Sequence, residues 1–143
     1  MQGFNDEQVI NGTWGEFWFD DDLLSEIISV KAEVNAEYAD IVRVGRLTKG
    51  KKLVGLEGKG SIKLHKVSSR IAKKVIECFK AGKIPKFKAI SKLADPDNGG
   101  TERVALYNCV LDKAILADWE AGKNGEESYD FTFTDAEYLD AIE

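Results

Sequence analysis

The stretch "ISVKAEVNAEY", residues 28–38, alternates without a break. Ile28, Val30, Ala32, Val34, Ala36 and Tyr38 take one parity, and Ser29, Lys31, Glu33, Asn35 and Glu37 the other. A period of two puts these sets on opposite faces of a strand, whereas a helix would scatter both around its circumference. The same pattern returns at 58–65, where Gly58, Gly60, Ile62 and Leu64 alternate with Lys59, Ser61, Lys63 and His65. It returns again at "YDFTFTD" (129–135), with Tyr129, Phe131 and Phe133 on one parity. In "TWGEFWFD" (13–20), Trp14 and Trp18 oppose Phe17 and Phe19, and the acids at 20–22 read as a turn. Further strands are predicted at "PKFKAISKLA" (85–94) and, beyond the turn "DPDNGG", at "TERVALYNCVLDK" (101–113). "AILADWE" (114–120) reads as a continued or re-formed strand.

One segment has a different period. In "SSRIAKKVIECFKAGK" (68–83), Ile71, Ala72, Val75, Ile76 and Phe79 share a helical face, so Phe79 reads as core. Ser68 or Ser69 supplies the N-cap and Gly82 the stop. The expected fold is therefore mainly β with one packed amphipathic helix. It is an antiparallel sandwich or partly closed barrel, a single domain over residues 1–143.

Two strands are apolar on both faces. One is 14–19. The other is 104–111, with Val104, Leu106 and Val110 on one side and Ala105, Tyr107, Cys109 and Leu111 on the other. An antiparallel sheet normally leaves one face to water, so this surplus needs the helix or a partner to cover it.

Composition bounds the function. The 143 residues are 43% hydrophobic and 31% charged, those of a globular chain, with no apolar run of membrane-spanning length. "MQGFNDEQVINGT" has neither a basic nor an apolar signal region, so no secretory signal is read. Cys78 and Cys109 lack motif spacing and read as two buried thiols. The net charge of −5 conceals segregation: residues 1–42 carry ten acids and one base, 43–92 sixteen bases and two acids, and 93–143 thirteen acids and three bases. A chain with opposite signs in separate blocks can dock onto its own copies.

Catalytic chemistry finds no foothold. Gly45 to Lys52 follows the phosphate-binding loop pattern until its last position, where Lys52 replaces the Ser or Thr that would hold magnesium. Strand-like alternation, not a helix, follows it. His65 is the only histidine, and with two isolated cysteines it supports neither a triad nor a zinc site. No enzyme activity, cofactor or metal is implied. The alternative is a nucleic-acid-binding β-domain using the basic 43–92 segment, opposed by the acidic blocks on either side. A lipocalin-like barrel for a small molecule is a third reading, weakened by the short, glycine-broken strands.

Residues 46–57 read as a long protruding loop. It is rich in glycine and lysine, yet holds Leu53, Val54 and Leu56 at its centre. An apolar tip with cationic flanks suits docking on an acidic neighbour. An ordinary hairpin folded back on its own core is the competing explanation.

The order of these features resembles the tail tube proteins of contractile phage tails, of the PBSX-like prophage and R-type bacteriocin kind. The stretches that carry the resemblance are "INGTWGEFWFD" (10–20), "GKKLVGLEGKGSIKLHKVSSR" (50–70), "GTERVALYNCVLDKA" (100–114) and "YDFTFTDAEYLD" (129–140). It implies a barrel or sandwich with a flanking helix, similar to the tube protein of type VI secretion. It also implies hexameric rings stacked head to tail into a hollow tube that a sheath drives through a target envelope. The partners implied are further copies of the chain, sheath, baseplate and tail terminator, with DNA passing through the lumen in a phage and no membrane anchor. The subunit would be made in the bacterial cytoplasm and built into a phage tail or bacteriocin particle. Matched position by position, the inter-ring role falls on Lys49, Lys51, Lys52, Leu53 and Val54, beside Leu56 from the loop itself. By the same analogy, Ser29, Glu33, Asn35 and Glu37 with Lys59, Ser61 and Lys63 are the lumen-facing candidates.

Overall fold

The computed structural model describes residues 3–143, and alternation in the sequence becomes strand almost throughout. Eight strands form: β1 (Gly15–Phe19), β2 (Asp22–Leu23), β3 (Ile27–Ile41), β4 (Gly50–His65), β5 (Lys86–Leu93), β6 (Glu102–Leu111), β7 (Glu126–Phe133) and β8 (Asp135–Asp140). A helix, α1 (Arg70–Lys80), lies between β4 and β5. All strand pairs are antiparallel and form one sheet in the order β2-β1-β5-β6-β7-β4-β3, with β8 paired to β6. β6 divides one edge between two partners: Arg103–Tyr107 pairs with β8, and Val110 and Leu111 pair with β7. The sheet curls until β1 approaches β3, and it remains unclosed. Of the two expected architectures, the open barrel is the one adopted.

The concave face holds the core. Phe17, Phe19, Ile62, Leu64, Phe87, Leu106, Leu111, Tyr129, Phe131 and Phe133 pack together from five strands, and Ile71 and Val75 of α1 join them. Phe19 stacks on Phe87 at 4.3 Å between centroids, and Phe87 meets Phe131 edge-on at 5.8 Å. β7 alternates between exposed and buried along its whole length, as its sequence required. Two ion pairs hold α1: Arg70 to Glu26 at 2.8 Å, and Lys74 to Asp20, with the Lys74 ammonium 4.8 Å from the Phe19 ring centre.

Several expectations need correction. Residues 112–120 form no strand; Ala114 and Ile115 pack on the core from an irregular segment, and Trp119 is exposed. Ser69 occupies the N-cap but makes no side-chain capping bond, its carbonyl accepting instead from Lys73 N–H at 2.9 Å. Gly82 does end the helix region, at φ +69°. Phe79 is 39% exposed rather than core, because α1 turns only Ile71, Ala72 and Val75 fully inward. Cys109 is buried but Cys78 only half-buried.

The expected face assignment of β6 also fails, for a local reason. Phe87 faces Cys109 while Ala89 faces Leu106, so β6 carries one extra residue between them. Asn108 stands within that bulge at φ 55°. The insertion shifts parity, and Leu106, Cys109 and Leu111 all enter the same core.

Candidate assembly surface: a two-faced hairpin

The predicted loop at 46–57 is mostly strand. β3 and β4 pair from Ser29↔Lys63 to Ile41↔Gly50, so Gly50–Glu57 continues a long hairpin and only 42–49 turns. β7 pairs with β4 only from Gly58 to His65. Beyond Gly58 the hairpin therefore leaves the barrel as a two-stranded ribbon of about 25 Å. Such a ribbon is marginal in water unless something packs against it.

Paired residues share a face, so the register sorts the side chains. One face carries Val34, Ala36 and Leu56. Tyr38 shares it by parity, and a bulge that leaves Val54 unpaired between Glu37↔Gly55 and Tyr38↔Leu53 brings Leu53 onto it as well. Nearer the barrel this face is core, through Ile62 and the rings of Phe131 and Phe133 lying over Gly60 and Gly58. Past the barrel it is bare: Val34 is 53% exposed, Tyr38 60%, Leu53 50%, Val54 61% and Leu56 67%. The apolar stripe runs from core to solvent unchanged in character.

The opposite face is polar over three strands. Ser29↔Lys63, Lys31↔Ser61, Glu33↔Lys59 and Asn35↔Glu57 cross the hairpin. Lys59↔Thr132, Ser61↔Asp130 and Lys63↔Ser128 extend the rows onto β7. All seven residues singled out beforehand on this surface (Ser29, Glu33, Asn35, Glu37, Lys59, Ser61 and Lys63) are thus brought together. Its charges alternate in sign, with Lys63 3.1 Å from Glu126, Lys59 3.6 Å from Glu57 and Lys31 3.9 Å from Glu33. A shallow groove of about 440 Å³ crosses it, with Lys31, Lys59, Asp112 and Asp130 in its walls.

The six loop candidates occupy different places. Lys49 stands in the turn, whereas Lys51, Lys52, Leu53, Val54 and Leu56 are strand residues. Lys51 is already engaged, 2.5 Å from Asp40 across the hairpin. The residues that sequence reasoning missed are at the turn itself: Val42, Val44 and Leu47 are exposed among Arg43 and Arg46. The available signal was two long alternating runs of nearly equal length flanking Gly45, whose φ of +82° makes the turn.

Folding also intermixes the charge blocks. Lys66 meets Glu127 at 2.5 Å, Lys63 meets Glu126, and Arg70 and Lys74 meet Glu26 and Asp20. These pairs neutralise part of the basic segment's field at close range, while Arg43, Arg46, Lys49 and Lys52 around the hairpin turn enter no ion pair among the described residues. Burial pushes the Cys109 thiol up to about 12 and raises the Tyr129 hydroxyl as well, so neither is poised for chemistry near neutral pH. Among the described residues no three His, Cys, Asp or Glu side chains cluster as metal ligands, and no helix is long and apolar enough to cross a membrane.

Residues 2–140 match the phage tail tube protein family. The chain belongs to that family. The tail tube match spans the hairpin, the polar face and β8 together. The chain is also 30% identical over 131 residues to the phage-like element PBSX protein XkdM of Bacillus subtilis (strain 168), covering 90% of this chain and 89% of that one. In fold it is similar to a chain of the extended sheath/tube terminator of the extracellular contractile injection system PVC, with TM-score 0.75 and 9% identity over 94% of this chain and 99% of that one. A chain of the PVC sheath-tube complex gives TM-score 0.74 at 9% identity, over 95% of each. At that identity the likeness carries the fold alone. The tail tube fold thus persists where nearly all side chains differ, as expected when the pattern of alternation, not residue identity, specifies it.

Proposed function

We propose that the protein is the structural subunit of a contractile-tail inner tube, assembling into stacked hexameric rings around a hollow lumen. The observation that carries this reading is the apolar stripe Val34, Tyr38, Leu53, Val54 and Leu56 on a ribbon left bare among the described residues. Burying these side chains against another copy contributes about 5–10 kcal/mol before ordering costs. On this reading the hairpin beyond Gly58, including Lys49, Lys52, Leu53, Val54 and Leu56, bridges to a neighbouring subunit or ring. The polar face of Ser29, Glu33, Asn35, Glu37, Lys59, Ser61 and Lys63 lines the lumen, where alternating charge would let a polyanion pass without lasting contact. Sheath, baseplate and terminator are the partners the family implies, and a phage tail or bacteriocin particle is where the assembled tube resides.

Negative-stain electron microscopy of concentrated protein tests this. Rings or tubes of six-fold symmetry are expected. A monomer at every concentration and salt, by light scattering, would overturn it.

A further inference from the structure

Asparagine followed by glycine occurs three times, at Asn11–Gly12, Asn98–Gly99 and Asn124–Gly125. The pairing is chemically reactive. Glycine carries no Cβ, so its backbone nitrogen can swing onto the side-chain carbonyl carbon of the asparagine before it. Reaction needs a side chain free to turn and a glycine N–H without another partner. The fold withholds these conditions at two of the sites. Asn98 is held at both ends: its Nδ2 donates to the Gln8 carbonyl at 2.7 Å, and its Oδ1 accepts from Gly100 N–H at 3.1 Å. The Gly99 N–H is occupied as well, donating to the Asp95 carbonyl at 3.0 Å. Asn11 caps the short turn Gly12–Trp14, its Oδ1 accepting from Thr13 N–H at 2.9 Å and from the Thr13 hydroxyl at 2.8 Å.

Asn124 has none of these restraints. It is exposed in the irregular segment before β7, and neither its side chain nor the Gly125 N–H makes a hydrogen bond among the described residues. Gly125 itself is fixed by packing. A Cβ there would fall 2.7 Å from Lys66 Cβ. Its carbonyl accepts from Lys66 N–H at 2.8 Å, one step before the β4–β7 ladder begins at His65↔Glu126. The fold thus demands glycine at 125 and leaves the asparagine before it unrestrained.

We propose that Asn124 is a self-modification site, converting without an enzyme to aspartate and isoaspartate, while the fold keeps Asn11 and Asn98 intact. The Gly125 nitrogen loses its proton and bonds to Asn124 Cγ. The Cγ–Nδ2 bond breaks, and the amide leaves as ammonia with that proton. The resulting cyclic imide takes up one water. Opening at Cγ gives aspartate; opening at the Asn124 main-chain carbonyl routes the chain through the side chain as isoaspartate. Either product places a new carboxylate just ahead of Glu126 and the buried Glu127. Isoaspartate also adds one carbon to the chain where β7 joins β4. The chemistry requires only the single folded chain, not an assembled tube.

Ageing the folded protein at pH 8, where loss of the glycine N–H proton is favoured, tests this. After digestion at mildly acidic pH, the peptide holding Asn124 should show the amide-to-acid mass gain by mass spectrometry, with isoaspartate resolved from aspartate by chromatography. Conversion at Asn11 and Asn98 should be at least about tenfold slower, because their hydrogen bonds have to break first. In the denatured chain all three should convert at similar rates, which separates protection by the fold from differences in sequence. Asn124→Gln should remove the fast conversion and leave the thermal midpoint unchanged. An Asn124 that converts no faster than Asn11 and Asn98 in the folded protein overturns the proposal.

Discussion

The ring of Phe131 occupies the space beside Gly60, its tip foremost: a Cβ on Gly60 would fall 2.3 Å from Phe131 Cζ. Gly58 stands in the same relation to Phe133, at 2.6 Å. Glycine in a strand ordinarily weakens it, and here the missing side chains create the space that two core aromatics of the neighbouring strand fill. Gly60→Ala should therefore displace Phe131 and lower stability by about 1–3 kcal/mol, read as a fall in thermal midpoint. A midpoint equal to that of the parent chain would show that the ring moves at no cost.

On the tube-subunit reading, the ribbon beyond Gly58 serves association rather than the barrel. Leu53→Asp combined with Val54→Asp should leave the thermal midpoint within the range of ordinary surface changes, about 0.5 kcal/mol, because both side chains are at least half exposed in the single chain. The same variant should form no tubes under the electron microscope. Tubes of normal length would remove the ribbon from the assembly contact.

Asp20 stands in the turn after β1, against Lys74 of α1, and its carboxyl is held below the ordinary aspartate value. Partial burial by itself would raise it, but the hydrogen bond from Lys74 and the backbone N–H of Lys88 outweigh that effect. A depressed folded value contributes stability above the unfolded value of 3.8, and that contribution is lost as pH falls through the folded one. Asp20→Asn should thus destabilise the protein at pH 7, and the gap to the parent should narrow as pH falls below 3.8. Denaturant titrations at pH 7 and at pH 3 check the sign.

The two thiols should behave as different groups. Cys109 is fully buried, donates to the Leu106 carbonyl at 3.5 Å and has its pKa raised to about 12, while Cys78 is half-buried on α1. A chromogenic disulfide reagent at pH 8 should label one cysteine per folded chain, and two only after denaturation. Two fast equivalents from the native protein would place Cys109 within reach of solvent.

High salt should weaken assembly, because Arg43, Arg46, Lys49 and Lys52 enter no ion pair among the described residues and their attraction to an acidic partner is screened beyond a Debye length of about 3 Å at 1 M. Turbidity or scattering measured from 0.05 to 1 M sodium chloride reads this out. Assembly indifferent to salt would assign the contact to the apolar stripe alone.

Alternation made the strands legible, since β3, β4 and β7 carry a buried or shared face whose period survives any partner order. The single helix was legible for the same reason, with Ile71, Ala72 and Val75 one turn apart. The extent of the β3–β4 hairpin was hidden because lysine and glycine at 49–60 have low strand propensity, and pairing with 27–41 overrides it. Asn108 concealed the true face of β6, since a one-residue bulge leaves no mark in composition yet exchanges inside and outside for everything after it. Residues 114–120 misled in the opposite direction: Ala114, Ile115 and Leu116 look like strand, but no neighbouring strand has a free edge bonded to them. The polar face was readable as a set of residues, because register only had to bring together what parity already grouped. The open cleft between β3 and β1 was not, being made from pieces of six strands distant in sequence.

β3 stands at one margin of the sheet, so every second residue of its fifteen turns a peptide N–H and C=O to a side without a partner strand among the described residues. Such a margin invites any extended polypeptide to add itself. Lys31, Glu33 and Glu37, with Asp40 further out, place a charge at nearly every second position there. An indiscriminate strand would have to strip water from each of them, a cost that discourages edge-to-edge addition.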